Sequence, residues 1–366
     1  MDRIFLSPPH MGGGEMAFIE EAFRNNFIAP LGANVTGFED AIRMYTGANA
    51  ALGVVSGTAA IHLALRVLGV GAGDRVATSS FTFIGSVTPI VFQGAEPIFI
   101  DSDRESWNLS PELLETCLKR DRPKAVIVTH LYGQLANIDA IAALCDHYGA
   151  TLIEDAAESL GALSGKRQSG TIAPLGIYSF NGNKIITTSG GGMLVAHDPA
   201  AIKQAFFLAT QARENTPYYE HKTIGYNYRM SNIVAGIGRG QMQVLADRIR
   251  RRREIFEYYK QALGDLPINF MPELSGTTGS RWLTTLTIED RRIAPETVRL
   301  ALENENIESR ALWKPMHLQP VFVKAKSVIG GVSEALFERG VCLPSGTAMT
   351  DNDLARICAA FRKVFA

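Results

Sequence analysis

A lysine followed by glycines carries the strongest chemical signal in this 366-residue sequence. Lys184 comes five residues after Ser179, at the end of a predicted strand, and Gly190, Gly191 and Gly192 precede the next apolar run. A lysine amine forms a Schiff base with an aldehyde cofactor where its surroundings lower its pKa and hold it in place. Glycines let the backbone approach closely at such a turn. Because a lone loop lysine is usually a surface residue, this interpretation depends on the other motifs.

Acidic residues end a second predicted strand. The buried strand over 151–154 is followed by Asp155, and Glu158 comes three residues later. Carboxylates at the carboxyl end of a strand lie where open α/β sheets bind ligands. The pyridine ring of pyridoxal 5′-phosphate (PLP) needs an acid at its nitrogen, because the protonated ring is the electron sink of the reaction. Capping of a following helix by Glu154 or Asp155 is an equally weighted alternative.

A small-residue turn lies between another predicted strand and a predicted helix. Its residues are Ser56, Gly57 and Thr58. Backbone amides and a hydroxyl at a helix N-terminus form a phosphate site, and plain helix capping is the competing interpretation. After the next strand, Phe83 offers an aromatic face for stacking, although buried aromatic residues usually belong to the core.

Short apolar runs alternate with amphipathic stretches between residues 50 and 196. Strands are predicted at 51–55, 75–79, 97–100, 125–130 and 151–154, and helices at 58–70, 111–119 and 138–148. Pro111 fits the first turn of a helix capped by Ser110. This alternation predicts an α/β fold in which a mostly parallel sheet lies between helices.

The pattern changes after residue 231. One long helix is predicted over 232–263, and a smaller α/β domain follows it. The predicted division is an N-terminal arm (1–14), a large cofactor-binding domain (15–245) and a smaller C-terminal domain (246–366). The long helix contains a basic run for which a solvated or interface face is the favoured interpretation: Arg248, Arg250, Arg251, Arg252 and Arg253.

Composition excludes several classes of protein. The net charge is −1 and 46% of residues are hydrophobic, so a large core is expected and a nucleic-acid surface is not. No charged, apolar leader and no apolar run of about 18 residues are present, which predicts a cytoplasmic protein without a membrane span. Four scattered cysteines favour neither a disulfide framework nor a metal site: Cys117, Cys145, Cys342 and Cys358.

Together and in this order, the motifs resemble the DegT/DnrJ/StrS-type sugar-nucleotide aminotransferases, which are fold-type-I PLP enzymes. The resemblance extends from 7–12 through the 225–230 segment Gly-Tyr-Asn-Tyr-Arg-Met and 313–320 to 342–346. It implies a PLP-binding large domain with a smaller C-terminal α/β domain. It also implies a homodimer in which the two subunits share their active sites.

The resemblance assigns a role to each matching residue. Lys184 would bind PLP covalently and move the proton between the two half-reactions, and Asp155 would pair with the pyridinium nitrogen. Phe83 would cover the cofactor ring. Asn227 would reach the phosphate of the neighbouring subunit's PLP, although a turn asparagine is the plain alternative. Three further residues would hold the phosphate within one subunit: Gly57, Thr58 and Ser179.

Glu158 departs from the family pattern, since many relatives have glutamine or histidine near the O3′ oxygen of the cofactor. An ionised carboxylate facing that oxygen would be repelled. Glu158 must therefore be protonated, bridged by water or turned away, and its pKa would have to rise through burial or the like charge. The activity is still expected, because Lys184 and Asp155 are present.

Three segments favour one sugar. Residues 7–12, 27–32 and 179–192 are most similar to the C4-aminotransferases of bacillosamine synthesis. This implies a UDP-linked 2-acetamido-4-keto-2,4,6-trideoxyhexose as substrate, L-glutamate as amino donor and a product destined for a bacterial glycan. GDP- or dTDP-linked keto sugars, aminated at C4 or C3, are the alternatives. The candidate substrate contacts are His10, Pro30, Trp313 and His317. For the two histidines and the tryptophan, a packed or capping residue is an equally weighted interpretation.

Other classes remain to be separated from this one. Relatives that dehydrate the sugar have histidine in place of the lysine, so Lys184 argues against them. A non-catalytic regulator with this fold would have lost the lysine or the acid, and both are present. A conventional amino-acid transaminase would need an arginine pair for a dicarboxylate, which the sequence does not reveal.

Overall fold

The computed structural model describes residues 2–365, and its helices and strands are numbered in chain order. The helices are α1 (Glu15–Arg24), α2 (Ala33–Thr46), α3 (Gly57–Val67), α4 (Thr88–Phe92), α5 (Pro111–Asp121), α6 (Ile138–Tyr148), α7 (Pro199–Ala209), α8 (Asn232–Met242), α9 (Leu245–Leu263), α10 (Pro295–Asn304), α11 (Val332–Arg339) and α12 (Asp351–Arg362). The strands are β1 (Ala50–Val54), β2 (Arg75–Ser79), β3 (Glu96–Ile100), β4 (Ala125–Thr129), β5 (Thr151–Asp155), β6 (Leu163–Ser164), β7 (Arg167–Gln168), β8 (Leu175–Ser179), β9 (Gly192–Ala196), β10 (Ile268–Phe270), β11 (Thr277–Thr278), β12 (Thr284–Ile288), β13 (Arg310–Ala311), β14 (Lys326–Val328) and β15 (Gly340–Leu343).

The main sheet has eight strands in the order β1-β9-β8-β5-β4-β2-β3-β14. Strand β9 is antiparallel to both of its neighbours, and every other neighbouring pair is parallel. Strand β4 is buried along its whole length, as expected of a strand covered on both faces. The prediction of a mostly parallel sheet between helices is confirmed.

Successive residues of β4 face two different hydrophobic cores. Ile127 belongs to the core under α3 and α7, whose members include Leu63 and Leu208. Val126 belongs to the core under α5 and α6, whose members include Leu114. This alternation fixes the layers: a helical layer on each face of the sheet.

Side-chain caps begin three helices that follow strands of the main sheet: α3, α5 and α6. Ser110 accepts from the N–H of Leu113 ahead of α5, and Pro111 occupies the first helical turn, as predicted. Ser56 caps α3 in the same way, and Asn137 caps α6. Each cap satisfies an N–H group that has no acceptor within its own helix.

The C-terminal part of the chain forms a second, antiparallel sheet in the order β10-β12-β15-β13. Its core includes residues from α9, α10 and α12 and also Ile4 near the N-terminus. Residues 326–328, within the predicted C-terminal domain, instead form the edge strand of the main sheet beside β3. A third, three-stranded sheet has the order β11-β6-β7.

The prediction of one helix over 232–263 is wrong. The chain leaves helical geometry at Val244 (φ −112°, ψ 3°), between α8 and α9. The N–H groups of Gln243 and Val244 donate to carbonyls only three residues back, which tightens the end of α8. Small residues let α8 pack closely: a Cβ on Gly240 would lie 2.7 Å from the backbone of Glu15, and one on Gly238 would lie 2.7 Å from the Phe38 ring.

The basic run at the start of α9 is not a uniform solvated face. Arg250 is exposed and pairs with Asp247 and Glu254, as a solvated face would. Arg252 is only 2% exposed and points into the molecule, where it donates to the carbonyls of Trp282 and Ser345. The favoured interpretation of the run is therefore wrong for Arg252.

Three further findings concern membrane helices, metal sites and disulfides. No helix within residues 2–365 is both long and apolar enough to cross a membrane. Over the same residues no group of three or more histidine, cysteine, aspartate or glutamate side chains is placed to hold a metal ion. The four cysteines are buried and form no disulfide.

Candidate active site

A cavity of about 300 Å³ lies at the carboxyl end of the main sheet. Parallel strands end at the same edge, so residues far apart in sequence meet there. Strand β1 runs in the same direction as β8, since both are antiparallel to β9. Five strands end in or lead directly to wall residues of the cavity: Ser56, Thr82, Thr129, Asp155 and Ser179.

Lys184 lies in the wall of this cavity with its side chain 13% exposed. Its Nζ atom is 3.6 Å from Oε1 of Glu158 and 4.2 Å from the centre of the Trp282 ring. Its backbone N–H donates to the carbonyl of Asn181, which closes a turn after β8. The ammonium is thus held between a carboxylate and an aromatic face, away from bulk water.

The Asp155 carboxylate also faces the cavity and is 3% exposed. Its Oδ2 accepts a 2.5 Å hydrogen bond from the Ser86 hydroxyl, and its Oδ1 accepts from the N–H of Ala157. Ser86 is hydrogen-bonded in turn to Thr82, which contacts Thr129. A carboxylate oriented by this hydroxyl chain is suited to bind a protonated ring nitrogen.

Glu154, the neighbour of Asp155, serves the fold instead. It is fully buried on the other side of the strand, and His130 Nε2 lies 2.9 Å from its Oε2. Backbone N–H groups of the 170–173 loop donate to the same carboxylate. The helix-capping alternative is wrong for both acids, because residues 157–161 form turns and the next helix, α7, begins only at Pro199.

The N-terminus of α3 forms one corner of the cavity. Gly57 and Thr58 begin the helix, and their N–H groups have no acceptor within it. The corner is tightly built: a Cβ on Gly57 would lie 3.2 Å from Ser179, and one on Gly192 would lie 2.3 Å from the carbonyl carbon of Ser56. Two hydroxyl side chains and free helix amides at one point form a cradle for an anion such as phosphate.

Glu158 faces the lysine. Its Oε2 accepts a 2.8 Å hydrogen bond from the N–H of Tyr132, and its Oε1 is the atom near Lys184. Burial raises the pKa of the Glu158 carboxyl above its ordinary value; the Lys184 charge opposes that rise and the Asp155 charge adds to it. The rise has the direction expected from the sequence, and the carboxyl is oriented by two groups of its own chain.

Aromatic side chains close the outer side of the cavity. Phe83 is 52% exposed, and its ring centre is 5.4 Å from that of Trp313. Tyr132 stacks between the two tryptophans, 6.2 Å from Trp313 and 6.5 Å from Trp282. This wall provides apolar faces for a flat ring and excludes water from the lysine.

Two of the predicted site residues lie on the surface, outside this cavity. Asn227 is exposed and forms a β-bridge with Thr210. Pro30 is exposed at the turn before α2. Neither residue lines the cavity of its own chain.

The two predicted histidines have partners elsewhere in the chain. His10 Nδ1 is 2.8 Å from the Thr347 hydroxyl. His317 lies between Ser80, 2.6 Å from its Nδ1, and Glu334, 2.9 Å from its Nε2. Of the four predicted substrate contacts, Trp313 is the one that lines the cavity.

Several wall residues were not predicted from the sequence, and three of them are Ser86, Asn183 and Trp282. Ser86 lies three residues beyond Phe83, and Asn183 precedes Lys184, so their positions next to the motifs were a usable signal. Trp282 comes from a connection almost 100 residues later, and nothing in the sequence links it to the lysine. Only the packing of the C-terminal part against the main sheet brings it there.

The residues of the cavity fit PLP. Lys184 supplies an amine for the aldehyde, Asp155 supplies a buried carboxylate for the pyridine nitrogen, and the amides at Gly57 supply a cradle for the phosphate. All three groups lie at one edge of the main sheet, since Asp155 ends β5, Gly57 follows β1 and Lys184 follows β8. The fold and the cavity together define a PLP-dependent transferase of fold type I.

Comparison with known proteins identifies the family. The model of the DegT/DnrJ/EryC1/StrS aminotransferase family matches residues 9–362. The chain belongs to this family, and it is a PLP-dependent sugar aminotransferase.

Relatives match over nearly the whole chain. EpsN of Bacillus subtilis (strain 168), provisionally named a pyridoxal phosphate-dependent aminotransferase, is 52% identical over 373 residues, covering 99% of this chain and 96% of EpsN. The GDP-perosamine synthase of Vibrio cholerae is 32% identical over 359 residues, covering 98% of each chain. The crystal structure of the aminotransferase TlmJ from Streptoalloteichus hindustanus superposes with a TM-score of 0.92 at 28% identity, covering 99% of this chain and 98% of TlmJ.

Proposed function

We propose that this enzyme transfers the amino group of L-glutamate to the keto carbon of a nucleotide-linked sugar, with Lys184 and Asp155 as its catalytic residues. The observation that carries the proposal is the meeting of the Lys184 amine and the Asp155 carboxylate in one cavity beside the N-terminus of α3. Bound PLP supplies the electron sink and carries the amino group from donor to acceptor.

Each residue of the cavity has a task in this reaction. Lys184 binds the cofactor and then moves the proton at the reacting carbon, a task for which its Nζ must be free and fixed. Asp155 holds the positive charge of the ring nitrogen, and Ser86 fixes the orientation of the carboxylate. Glu158 holds the lysine amine from the opposite side. The Phe83 and Trp313 wall covers the flat ring.

The substrate we propose is a UDP-linked 2-acetamido-4-keto-2,4,6-trideoxyhexose, aminated at C4. The resemblance of segments 7–12, 27–32 and 179–192 to bacillosamine-type enzymes supports this choice. Room for a large substrate also supports it: a second cavity of about 360 Å³ borders the first and shares Asn183 and Trp282 with it. Binding energy from a remote nucleotide can then align the keto carbon with the reacting nitrogen.

A GDP-linked 4-keto-6-deoxymannose is the second candidate. The observation that favours it is the 32% identity with GDP-perosamine synthases, which extends over the full length of those relatives. The more similar EpsN has a name that states no sugar, so it favours neither candidate.

The proposal includes a homodimer in the cytoplasm. Asn227 would reach the PLP phosphate of a second copy, which accords with its exposed position outside the cavity of its own chain. The active site would then be complete only in the dimer.

A substrate panel tests the proposal. Purified enzyme with PLP and glutamate is incubated with UDP-, GDP- and dTDP-linked keto sugars, and products are identified by mass spectrometry and NMR. The proposal requires the highest kcat/KM for the UDP-linked 2-acetamido-4-keto sugar. Preference for the GDP-linked sugar would establish the second candidate, and bound cofactor without turnover of any sugar would favour a non-catalytic regulator.

A further inference from the structure

Arg252 is a buried cation without an anionic partner. Within the described residues 2–365 no carboxylate lies within salt-bridge distance of it. Its guanidinium donates instead to the backbone carbonyls of Trp282 and Ser345 and, at 3.0 Å, to the Ser7 hydroxyl. Removing a full charge from water without an opposite charge is costly, so this site needs a reason beyond packing.

Two of the three partners of Arg252 converge on the residue before the lysine. The Ser7 hydroxyl donates a 2.7 Å hydrogen bond to the carbonyl oxygen of Asn183. The Trp282 indole Nε1 donates to the same oxygen at 2.7 Å. Asn183 and Lys184 share one peptide bond, so both hydrogen bonds act on the backbone that carries the lysine.

The donor and acceptor chemistry of the groups fixes the direction of the hydrogen bonds from Arg252 through Ser7 to Asn183. A guanidinium only donates, so the Ser7 oxygen must accept from Arg252. The single Ser7 proton is then committed to the Asn183 carbonyl. A carbonyl oxygen accepts two hydrogen bonds, and here the donors come from residues 176 and 99 positions away in the sequence.

We propose that Arg252 is a positioning residue for Lys184, acting through Ser7 and Trp282 on the Asn183 carbonyl. The inference rests on the proposed role of Lys184 in cofactor binding. Arg252 holds the N-terminal segment and the Trp282 connection in place, and these two elements fix the peptide before the lysine. The same connection places the Trp282 ring 4.2 Å from the Lys184 amine.

A purely structural role makes a different prediction. If Arg252 only ties three chain segments together, its loss lowers stability and leaves the lysine's chemistry unchanged in the folded fraction. If it positions the lysine, the geometry of the reacting amine changes even where the protein is fully folded. A misplacement of about 1 Å is enough to reduce a rate by roughly 100-fold.

The test uses the PLP-loaded enzyme and four variants. Ser7→Ala removes the hydroxyl branch, and Trp282→Phe removes the indole donor while an aromatic ring is kept. Arg252→Lys keeps the charge but not the forked donor geometry. Arg250→Met is the matched control, because Arg250 is an exposed arginine of the same helix that pairs only with Asp247 and Glu254.

Four readouts are compared. They are the melting temperature, the pH midpoint of the visible absorption band of the bound cofactor, the kcat and KM values, and the rate of borohydride labelling at residue 184, which is followed by peptide mass spectrometry.

We expect Ser7→Ala and Trp282→Phe each to lower kcat by about tenfold with KM within about twofold, and to shift the midpoint and slow the labelling. Arg252→Lys should lower kcat at least as much, and Arg250→Met should match the wild type. The double variant Ser7→Ala/Trp282→Phe should lose less than the product of the single effects, because both act on one carbonyl.

Two results separate the possible failures. If the variants keep wild-type kcat, midpoint and labelling rate while only the melting temperature falls, the positioning role is wrong and Arg252 is structural. If wild-type enzyme is not labelled at Lys184 at all, the proposed function itself is wrong. Because Ser7→Ala removes a single hydroxyl, it keeps the test open even if Arg252→Lys does not fold.

Discussion

The cavity floor (Ser86, Asp155 and Glu158) and the 213–229 segment differ in how far their side chains are buried. In the floor, every carboxylate is buried and takes hydrogen bonds from its own chain. Much of the 213–229 segment is exposed, including large apolar side chains, with 78% of Ile224 accessible to solvent. Exposed apolar side chains grouped in one segment are typical of a surface that another protein covers.

The segment is nevertheless anchored to the helix that borders the cavity. Tyr226 and Tyr228 stack with their ring centres 4.9 Å apart, and both contact His62 of α3. Burial lowers the pKa of His62 to about 4, so it is a neutral packing group near pH 7. The comparison teaches that residues of one chain build the cavity floor by themselves, whereas the role proposed for Asn227 depends on a second copy of the chain.

Removing the Lys184 amine should have the largest effect. It should abolish the reaction without disturbing the packing of the cavity floor. We expect Lys184→Ala to lower the transamination rate by at least about 10³-fold, because no other amine lines the cavity among the described residues. Turnover is measured with saturating keto sugar and glutamate, and circular dichroism checks folding. Substantial turnover by a folded variant would refute the assignment.

The adjacent acids should respond in opposite ways. Asp155→Asn removes the charge that we propose pairs with the ring nitrogen of PLP, and it should lower kcat on the order of 10²-fold with little loss of stability. Glu154→Gln leaves buried donors unsatisfied and should lower the free energy of unfolding by about 2 kcal/mol or more, with a smaller effect on kcat. Kinetics and urea denaturation of both variants check this, and a larger kcat loss in Glu154→Gln would reverse the assignment.

Asn227→Ala tests the second region. If Asn227 reaches the phosphate of a partner's PLP, its loss should raise the PLP dissociation constant about tenfold or more, the size expected for one hydrogen bond to a charged group. Thr223→Ala, an exposed small polar residue of the same segment, is the control. Cofactor titration followed by absorbance gives the constants, and sedimentation gives the oligomeric state. A monomer with full activity would rule out a shared site.

The sequence was informative where the chemistry is contiguous. Strand-turn-helix patterns predicted the parallel sheet, and the small-residue turn at Gly57 and the acid at Asp155 lie where strands of that sheet end. Those signals are local, because hydrophobic period and capping residues are read within one element. Two predictions failed because the local sequence carried no signal. The helix break occurs at Val244, where there is neither a proline nor a glycine, and the hydrophobic period of α9 did not indicate that Arg252 is buried.

Contacts between distant segments could not be predicted in this way. Three such contacts join segments that are nearly 100 residues or more apart: Trp282 with Lys184, Ser7 with Asn183, and Ser7 with Arg252. Their positions follow from how the C-terminal sheet docks on the main sheet, and a single sequence carries no record of that docking. The edge strand β14 is a further example, since it pairs with β3 from more than 200 residues away.

The smallest expected effect concerns the protonation of Glu158, and it appears as a pH dependence of stability. Burial raises the pKa of this carboxyl in the folded chain, so the folded state binds the proton more tightly than the unfolded state does. Stability therefore falls as pH rises from the ordinary glutamate pKa toward the raised value, because the unfolded chain ionises first. Residue 158 of the Glu158→Gln variant cannot ionise, so the variant does not lose stability in this way. As pH rises from the ordinary glutamate pKa to the raised value, the unfolding free energy of the wild type should therefore fall relative to that of the variant. Urea denaturation of both proteins at a series of pH values measures the difference. A difference that is constant with pH would mean that folding leaves the Glu158 pKa unchanged, and a shift in favour of the wild type would mean that Lys184 lowers this pKa and keeps Glu158 ionised in the folded chain.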